Sequence, residues 1–180
     1  MTSDLAPARP APVETVRAEG SFEDQVRPLL GQAFRLAYAI LAGHHEAEDA
    51  VQEAALLAWQ KLDQFVDRGD GMRPWFLAIV ANECRRRVRL RWWQVWRRSD
   101  LDPGTTIQHE DSVIFRMDLS RVIGALTPDQ RAALVLRYQL DLSQEEVARV
   151  LGVRLGTAKS LLHRAVLRLR ALMNEENSKP

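Results

Sequence analysis

Apolar residues recur at helical spacing through most of this chain, and no stretch shows the strict alternation that is typical of a strand. They fall at every third or fourth position between residues 22 and 42, and again between residues 46 and 65. A third helix is predicted from about Arg73 to Arg98, apolar in its first half and rich in arginine and tryptophan in its second. The pattern therefore predicts an all-α protein.

The C-terminal part is predicted to contain two short helices joined by a glycine turn. Ser143 stands where a helix begins, and Glu146 three residues later completes a capping box. Gly152 follows the last apolar positions of that helix, where a left-handed residue commonly ends it. A second amphipathic helix is predicted over residues 155–172. This is the arrangement of a helix-turn-helix, whose second helix enters the major groove of DNA.

One face of that second helix carries only polar and basic side chains. They lie at i and i+4 spacing, so they project together on the side away from the apolar stripe: Lys159, Ser160, His163 and Arg164. A basic helix face of this kind is often no more than a solvated surface. The turn at Gly152, and a further capped helix that begins at Thr127, favour DNA binding.

Length and composition limit the possibilities. With 180 residues, 46% of them hydrophobic, the chain has material for one or two small helical domains. It has no apolar run long enough for a membrane span, so stable membrane insertion is not expected. Its one cysteine, Cys84, cannot form an internal disulfide and makes a cysteine-based zinc site improbable, which fits a reducing cytoplasm.

The net charge of +1 conceals an acidic segment beside a basic one. Residues 1–70 are net acidic, whereas residues 71–100 are strongly basic, so nucleic acid is expected to meet the basic segment. The predicted organisation is a disordered arm over 1–20, a first domain over 21–98 and a linker over 99–111. A helix-turn-helix domain over 112–174 and a tail over 175–180 complete it.

Four segments together are specific. They are Ala47-Glu48-Asp49-Ala50-Val51-Gln52-Glu53-Ala54, then Ala58-Trp59 with Leu62-Asp63-Gln64-Phe65, then Arg73-Pro74-Trp75-Phe76-Leu77-Ala78-Ile79-Val80-Ala81-Asn82, and the segment from Leu126-Thr127-Pro128 to Arg170. Their order and spacing resemble those of the extracytoplasmic-function (ECF) sigma factors, the small two-domain branch of the sigma-70 family. The resemblance covers roughly residues 22–98 and 112–173. It implies a promoter-recognition subunit of bacterial RNA polymerase, without catalysis of its own.

The resemblance also implies where the partners bind. The clamp of the polymerase's largest subunit is expected on the second helix, at Asp49, Gln52 and Glu53, and the flap is expected to contact the protein as well. A patterned acidic face suits a basic helical partner, although a solvated helix face would show the same pattern. An anti-sigma protein is a further implied partner.

Promoter DNA is implied at two sites. For the unstacked bases and backbone of the minus-ten element the candidates are Asp63, Phe65, Arg73, Asn82, Arg85, Arg86, Arg87 and Arg89. Phe65 and Trp75 have core packing as an alternative. For the minus-thirty-five duplex the candidates are Thr157, Lys159, Ser160, His163 and Arg164, with Thr157 and the helix N-terminus placed for a phosphate. Leu161 stands where many relatives have arginine, and its position faces inward or sideways.

Three other features leave alternatives open. The cluster Trp92, Trp93 and Trp96 could pack against the second domain or the linker, or form a docking surface for polymerase or an anti-sigma partner. His44 and His45, followed by two glutamates, could suggest a metal, but a loop before a helix is the commoner explanation. No nucleophile–base pair or phosphate loop is visible, so the sequence predicts no enzyme, cofactor or metal. The alternative function is a stand-alone helix-turn-helix regulator, which would bind duplex DNA without polymerase.

Overall fold

The computed structural model describes residues 21–67, 69–98 and 124–177, with side chains to Arg91 in the second range and to Asn174 in the third. Helices and turns account for all regular structure in these ranges, which confirms the all-α prediction. None of the helices in them is long and apolar enough to cross a membrane. The tryptophan cluster at positions 92, 93 and 96 lies outside the described side chains.

The first half contains four α-helices and two short 3-10 turns. In chain order these are α1 (Phe22–Val26), a 3-10 turn (Arg27–Leu29), α2 (Leu30–Leu41), α3 (His44–Gln60), a second 3-10 turn (Leu62–Gln64) and α4 (Met72–Arg98). Helices α2, α3 and α4 pack against one another in pairs and form a three-helix bundle. Their contact faces are lined by small and aliphatic residues, among them Ala37, Ala54 and Val80, which are all fully buried.

Two of the predicted helices differ from the structure. The predicted helix over 22–42 is interrupted by the turn at Arg27–Leu29, because Pro28 has no N–H to donate to the preceding turn. The predicted helix over 46–65 begins earlier, at His44 after the cap Gly43, and ends at Gln60. His44 and His45 are therefore the first residues of α3, and the prediction of a loop at these positions was wrong.

The helices of the second half begin and end at residues whose capping signals are visible in the sequence. Its elements are α5 (Pro128–Leu134), a π-helical turn (Val135–Gln139), α6 (Gln144–Val150) and α7 (Leu155–Asn177). Both predicted capping boxes are present, at Thr127 with Gln130 and at Ser143 with Glu146. Gly152 has φ 60, the left-handed conformation that lets the chain turn between α6 and α7 without a Cβ penalty. The helix-turn-helix is formed as predicted.

The two halves share one hydrophobic core. Helix α2 packs on α5, and α4 packs on α6. Buried residues of both halves, from Val26 to Leu162, belong to a single continuous cluster that includes Phe76 and Leu136. The sequence predicted two domains joined by a linker, and only the tryptophan cluster offered packing against the second domain as an alternative. The packing of one half on the other determines which of the candidate site residues remain accessible.

Candidate nucleic-acid interface

The outward face of α7 is formed by the four side chains that the sequence singled out. Lys159, Ser160, His163 and Arg164 are all exposed and line one open surface depression. The Ser160 hydroxyl donates to the Gly156 carbonyl at 2.9 Å, and Arg164 Nε donates to the Ser160 carbonyl at 3.2 Å. Both side chains are thereby held close to the helix, with further polar atoms available to a ligand.

The opposite face of α7 explains why these four residues point outward. Ala158, Leu162 and Ala165 are buried against the other helices of the second half. Leu161 is half-buried and packs against the same core, in keeping with its predicted inward or sideways position. Thr157 is exposed in the first turn, and its own backbone N–H donates to the Arg154 carbonyl at 2.9 Å. The helix therefore presents one polar, basic face to solvent and buries its apolar face.

The capping box of α6 positions the helix-turn-helix. The Ser143 N–H donates to the Glu146 carboxylate at 2.7 Å, and the Glu146 N–H donates to the Ser143 hydroxyl at 3.1 Å. Hydrogen bonds from the Ser143 backbone and side chain lower the pKa of Glu146. The carboxylate therefore remains ionised as a cap, which fixes where α6 begins and how α7 leaves the turn.

The acidic face of α3 is exposed as the sequence predicted. Asp49, Gln52 and Glu53 are all solvent-accessible along one side of the helix. The structure adds two residues that the sequence reasoning missed, Leu56 at 59% exposure and Trp59 at 61%. Leu56 lies two turns beyond Asp49 on the same side, so the helical spacing was a signal for it. The combined surface is acidic at one end and apolar at the other.

Four of the minus-ten candidates lie along one side of α4 or in the segment just before it. Phe65 is half-buried against Trp75, with ring centroids 5.1 Å apart, and both pack against the hydrophobic core, which was the alternative for these two residues. Asn82 lies two turns after Trp75 and is exposed, and Arg89 lies two turns further and is exposed as well. Asp63 is exposed in the preceding 3-10 turn. The stripe therefore combines an aromatic pair, an amide and a cation, the groups that an unstacked strand requires.

The side chains of Arg73 and Arg85 bind partners outside this stripe. Arg73 Nε donates to the Gln32 side chain at 2.7 Å, and its Nη2 donates to the Leu140 carbonyl of the second half. Arg85 donates to the Asp129 carboxylate at 2.9 and 3.0 Å and to the Leu151 carbonyl. Both predicted promoter contacts are thus occupied by the second half of the same chain.

Arg86 and Arg87 are held by a buried acid. The Glu83 carboxylate accepts two hydrogen bonds from Arg86 and one from Arg87, all at 2.8 Å, and Glu83 is only 4% exposed. Burial alone would raise its pKa, but the hydrogen bonds and charges of the two arginines lower it. Glu83 was missed as a functional residue, although it is the only acidic residue in the sequence of α4. It orients the arginines and offsets part of their charge.

Two further features lie outside these surfaces. His44, His45 and Glu48 are exposed, their ligand atoms lie within 4.8 Å of one another, and each histidine Nδ1 lies 3.5 Å from the Glu48 carboxylate. Cys84 is fully buried, and burial raises the pKa of its thiol to about 12. A thiol in that state is a structural side chain with little thiolate character.

Comparison with known proteins agrees with this arrangement. Residues 25–94 match the family described as Sigma-70 region 2, and residues 116–169 match Sigma-70, region 4. The RNA polymerase sigma-E factor of Streptomyces avermitilis is 31% identical over 162 residues, which cover 83% of this chain and 83% of that protein. The ECF RNA polymerase sigma factor SigE of Mycolicibacterium smegmatis is 31% identical over 88% of this chain, which spans 63% of that relative.

Among solved structures, the sigma factor RpoE in complex with the anti-sigma factor NepR, from Bartonella quintana, has a TM-score of 0.71 and 28% identity. The match covers 85% of this chain and 96% of that one. Sequence and fold thus agree over both halves of the molecule. The chain belongs to the extracytoplasmic-function sigma factors, the small two-domain branch of the sigma-70 family.

Proposed function

We propose that this sigma factor binds core RNA polymerase through the α3 face and recognises promoter DNA through α4 and α7. The observation that carries the proposal is the outward face of α7, where Lys159, Ser160, His163 and Arg164 stand together and exposed. A bidentate contact from arginine to guanine in the major groove supplies about 1–3 kcal/mol of discrimination. Arg164 or Lys159 takes that role, and Thr157 holds a backbone phosphate.

At the polymerase, Asp49, Gln52 and Glu53 meet the basic coiled coil of the largest-subunit clamp, and the flap contacts the second half. Leu56 and Trp59 extend this surface, since an exposed aromatic side chain beside charged residues is typical of an interface anchor. The charged residues set the orientation and rate of docking, and Leu56 and Trp59 contribute apolar surface that becomes buried against the polymerase.

At the minus-ten element, the stripe on α4 receives the unpaired strand. Phe65 and Trp75 enclose a base, and Asp63 and Asn82 meet its hydrogen-bonding edge. Exposed Arg89 contacts the phosphate backbone, as do Arg86 and Arg87 in the orientation set by Glu83. Arg73 and Arg85 join this surface when they are released from the second half. No enzymatic reaction is assigned to the chain.

The domain organisation that accompanies this function is an arm over 1–20, a polymerase and minus-ten domain over 21–98 and a linker over 99–111. A minus-thirty-five domain over 112–174 and a tail over 175–180 complete it. The structural relative from Bartonella quintana was solved with an anti-sigma factor. By analogy we assign an anti-sigma partner to this chain too, and a cytoplasmic location, where core polymerase is found.

Run-off transcription with purified core polymerase tests the function. Promoter DNA is selected from a random library with the chain present or absent, and transcripts that appear only with the chain are sequenced. We expect two conserved blocks upstream of the start sites. Tight binding of duplex DNA by the chain alone, with no binding to core polymerase, would support the stand-alone regulator instead.

Loss of the Arg164 side chain is expected to reduce promoter discrimination. With holoenzyme on a selected promoter, Arg164→Ala should lower transcription roughly 5- to 150-fold, which corresponds to about 1–3 kcal/mol. On a promoter whose minus-thirty-five guanines are replaced, the variant and the wild type should differ little. Initial transcription rates on the two templates provide the measurement.

Arg170→Ala is the matched control, because it removes the same charge from an exposed position of the same helix on a different face. It should weaken transcription equally and slightly on both templates. Equal discrimination by wild type and Arg164→Ala would remove Arg164 from base recognition.

A further inference from the structure

The first turns of α3 bring three side chains with metal-ligating atoms together: His44, His45 and Glu48. Among the residues that the structure describes, they form the one group of three histidine, cysteine or acidic side chains whose ligand atoms all lie within 4.8 Å of one another. All three are exposed, so an ion reaches the group directly from solvent. The proposed function assigns no role to any of them.

The helical conformation of this segment explains why the three side chains converge. In a loop, adjacent histidines would have no fixed relation to a glutamate further along the chain. In α3, Glu48 follows His44 by four residues and His45 by three, and both spacings place side chains next to each other on a helix. The Nδ1 atoms of His44 and His45 each lie 3.5 Å from the same oxygen, Oε2 of Glu48.

These distances fit a tetrahedral metal ion. Zinc binds histidine nitrogen at about 2.0–2.1 Å and carboxylate oxygen at about 2.0–2.2 Å, so two ligands of one tetrahedral ion lie about 3.3–3.5 Å apart. Both histidine–Glu48 separations already have this length. Two imidazoles and one carboxylate, with water in the fourth position, are the donor set of open zinc sites. Imidazole donors suit zinc, nickel and cobalt, whereas magnesium and calcium prefer oxygen.

Two neighbouring side chains define the limits of the group. Phe34 of α2 packs edge-on against the His44 ring, with centroids 5.0 Å apart, and so restricts the rotation of that imidazole. A ligand whose orientation is already restricted loses less entropy when it binds an ion. Glu46 is close in sequence, but its carboxylate accepts from Arg91 at 2.8 Å. Solvent rather than Glu46 therefore completes the coordination.

We propose that His44, His45 and Glu48 form a binding site for one divalent transition-metal ion of the zinc, nickel or cobalt class. Two imidazole nitrogens and one carboxylate oxygen hold the ion, and its remaining position faces water. The site itself is independent of the proposed function, since it needs neither polymerase nor DNA.

The site borders the acidic face of α3, which gives a bound ion an effect on docking. His45 lies one turn before Asp49 and two turns before Gln52, on the same side of the helix. A dication there adds positive charge at one end of the face that meets a basic coiled coil, and like charges disfavour docking. The bound ion therefore weakens polymerase binding, a step that rests on the proposed function.

Calorimetric titration of the untagged full chain with zinc chloride tests the site. We expect one zinc ion per chain and no binding of magnesium under the same conditions. His45→Ala should weaken zinc binding by roughly 10-fold or more, because even the outer partners of metal ligands contribute that much. The His45 side chain is 96% exposed, so its removal costs little packing.

A pair of acidic residues provides the matched control. Glu48→Ala should weaken zinc binding as His45→Ala does, whereas Glu46→Ala removes the same charge from the same end of α3 and should bind zinc as wild type does. His163→Ala, at an exposed histidine of α7, controls for binding to histidine in general. Absence of zinc binding, or equal affinity in wild type, His45→Ala and Glu48→Ala, would overturn the proposal.

A second arm measures the affinity of labelled chain for core polymerase with and without zinc. Wild type should bind several-fold more weakly in zinc, and added salt should reduce the difference, because about 0.1 M salt screens exposed charges beyond about 10 Å. His44→Gln lacks one metal ligand and should not respond, which controls for any action of zinc on the polymerase. Zinc binding by the chain without a change in polymerase affinity would overturn the effect on docking and not the site.

Discussion

Asp49→Arg is expected to lower core-dependent transcription by about two to three orders of magnitude. The residue lies exposed on α3, beside Gln52 and Glu53, where the proposed partner is a basic coiled coil. Reversing the charge there places like charges opposite each other, which costs several kcal/mol in an interface, and about 3–4 kcal/mol corresponds to the stated loss. The measurement is the affinity of labelled chain for core polymerase, followed by run-off transcription at saturating template.

The fold is not expected to change, because an exposed position in mid-helix tolerates arginine well. Glu23→Arg is the matched control: it makes the same charge reversal at an exposed position of α1, outside the α3 face. It should bind core polymerase within a few-fold of wild type. Equal weakening by both variants would indicate a general effect of net charge and remove Asp49 from the docking surface.

Removal of Glu83 is expected to cost far more stability than removal of an exposed acidic residue. Glu83→Ala leaves Arg86 and Arg87 without their shared carboxylate, and breaking a buried pair costs about 3–5 kcal/mol. We expect a loss of about 3 kcal/mol, at the lower end of that range, because both arginines are partly exposed and regain water. The free energy of unfolding in urea is the quantity to measure, with transcription at a temperature where the variant remains folded.

The contribution of Glu83 to the free energy of unfolding is expected to decrease at acidic pH. The arginines lower the pKa of Glu83 in the folded protein below its ordinary value of 4.5. Its stabilisation is therefore complete above that value and is lost as the pH falls below it, because the proton binds the unfolded chain more tightly. Glu83→Gln should unfold with less dependence on pH in this acidic range than wild type.

Glu46→Ala is the control for Glu83→Ala, because it removes an exposed ion pair with the same helix, α4. Glu46 accepts from Arg91 at 2.8 Å, and both side chains are partly exposed, at 47% and 39%. Its removal should cost no more than about 1 kcal/mol. If Glu83→Ala is as mild as Glu46→Ala, the buried carboxylate is not what holds the arginines of α4.

The helix-turn-helix was predictable from sequence because each of its signals is local. A cap, its partner three residues later and a glycine at the turn act within one or two helical turns, so Ser143, Glu146 and Gly152 could be assigned before any tertiary contact was known. The outward face of α7 followed from helical periodicity in the same way. Pro28 is also a local signal, since proline lacks the N–H that a helix interior needs, but the apolar periodicity continues through it and conceals the break in the first helix.

Three residues show why the rest of the candidate site could not be predicted from the sequence: Arg73, Arg85 and Glu83. By itself the sequence determined the all-α class, the caps of α5 and α6, the outward faces of α3 and α7 and the family of the protein, since these depend on residues a few positions apart. Only the tertiary structure decided which arginines are available to DNA. Arg73 meets Leu140, and Arg85 meets Asp129 and Leu151, through contacts 67, 44 and 66 residues apart in the chain. Such partners are selected by the packing of one half on the other, which no local spacing encodes.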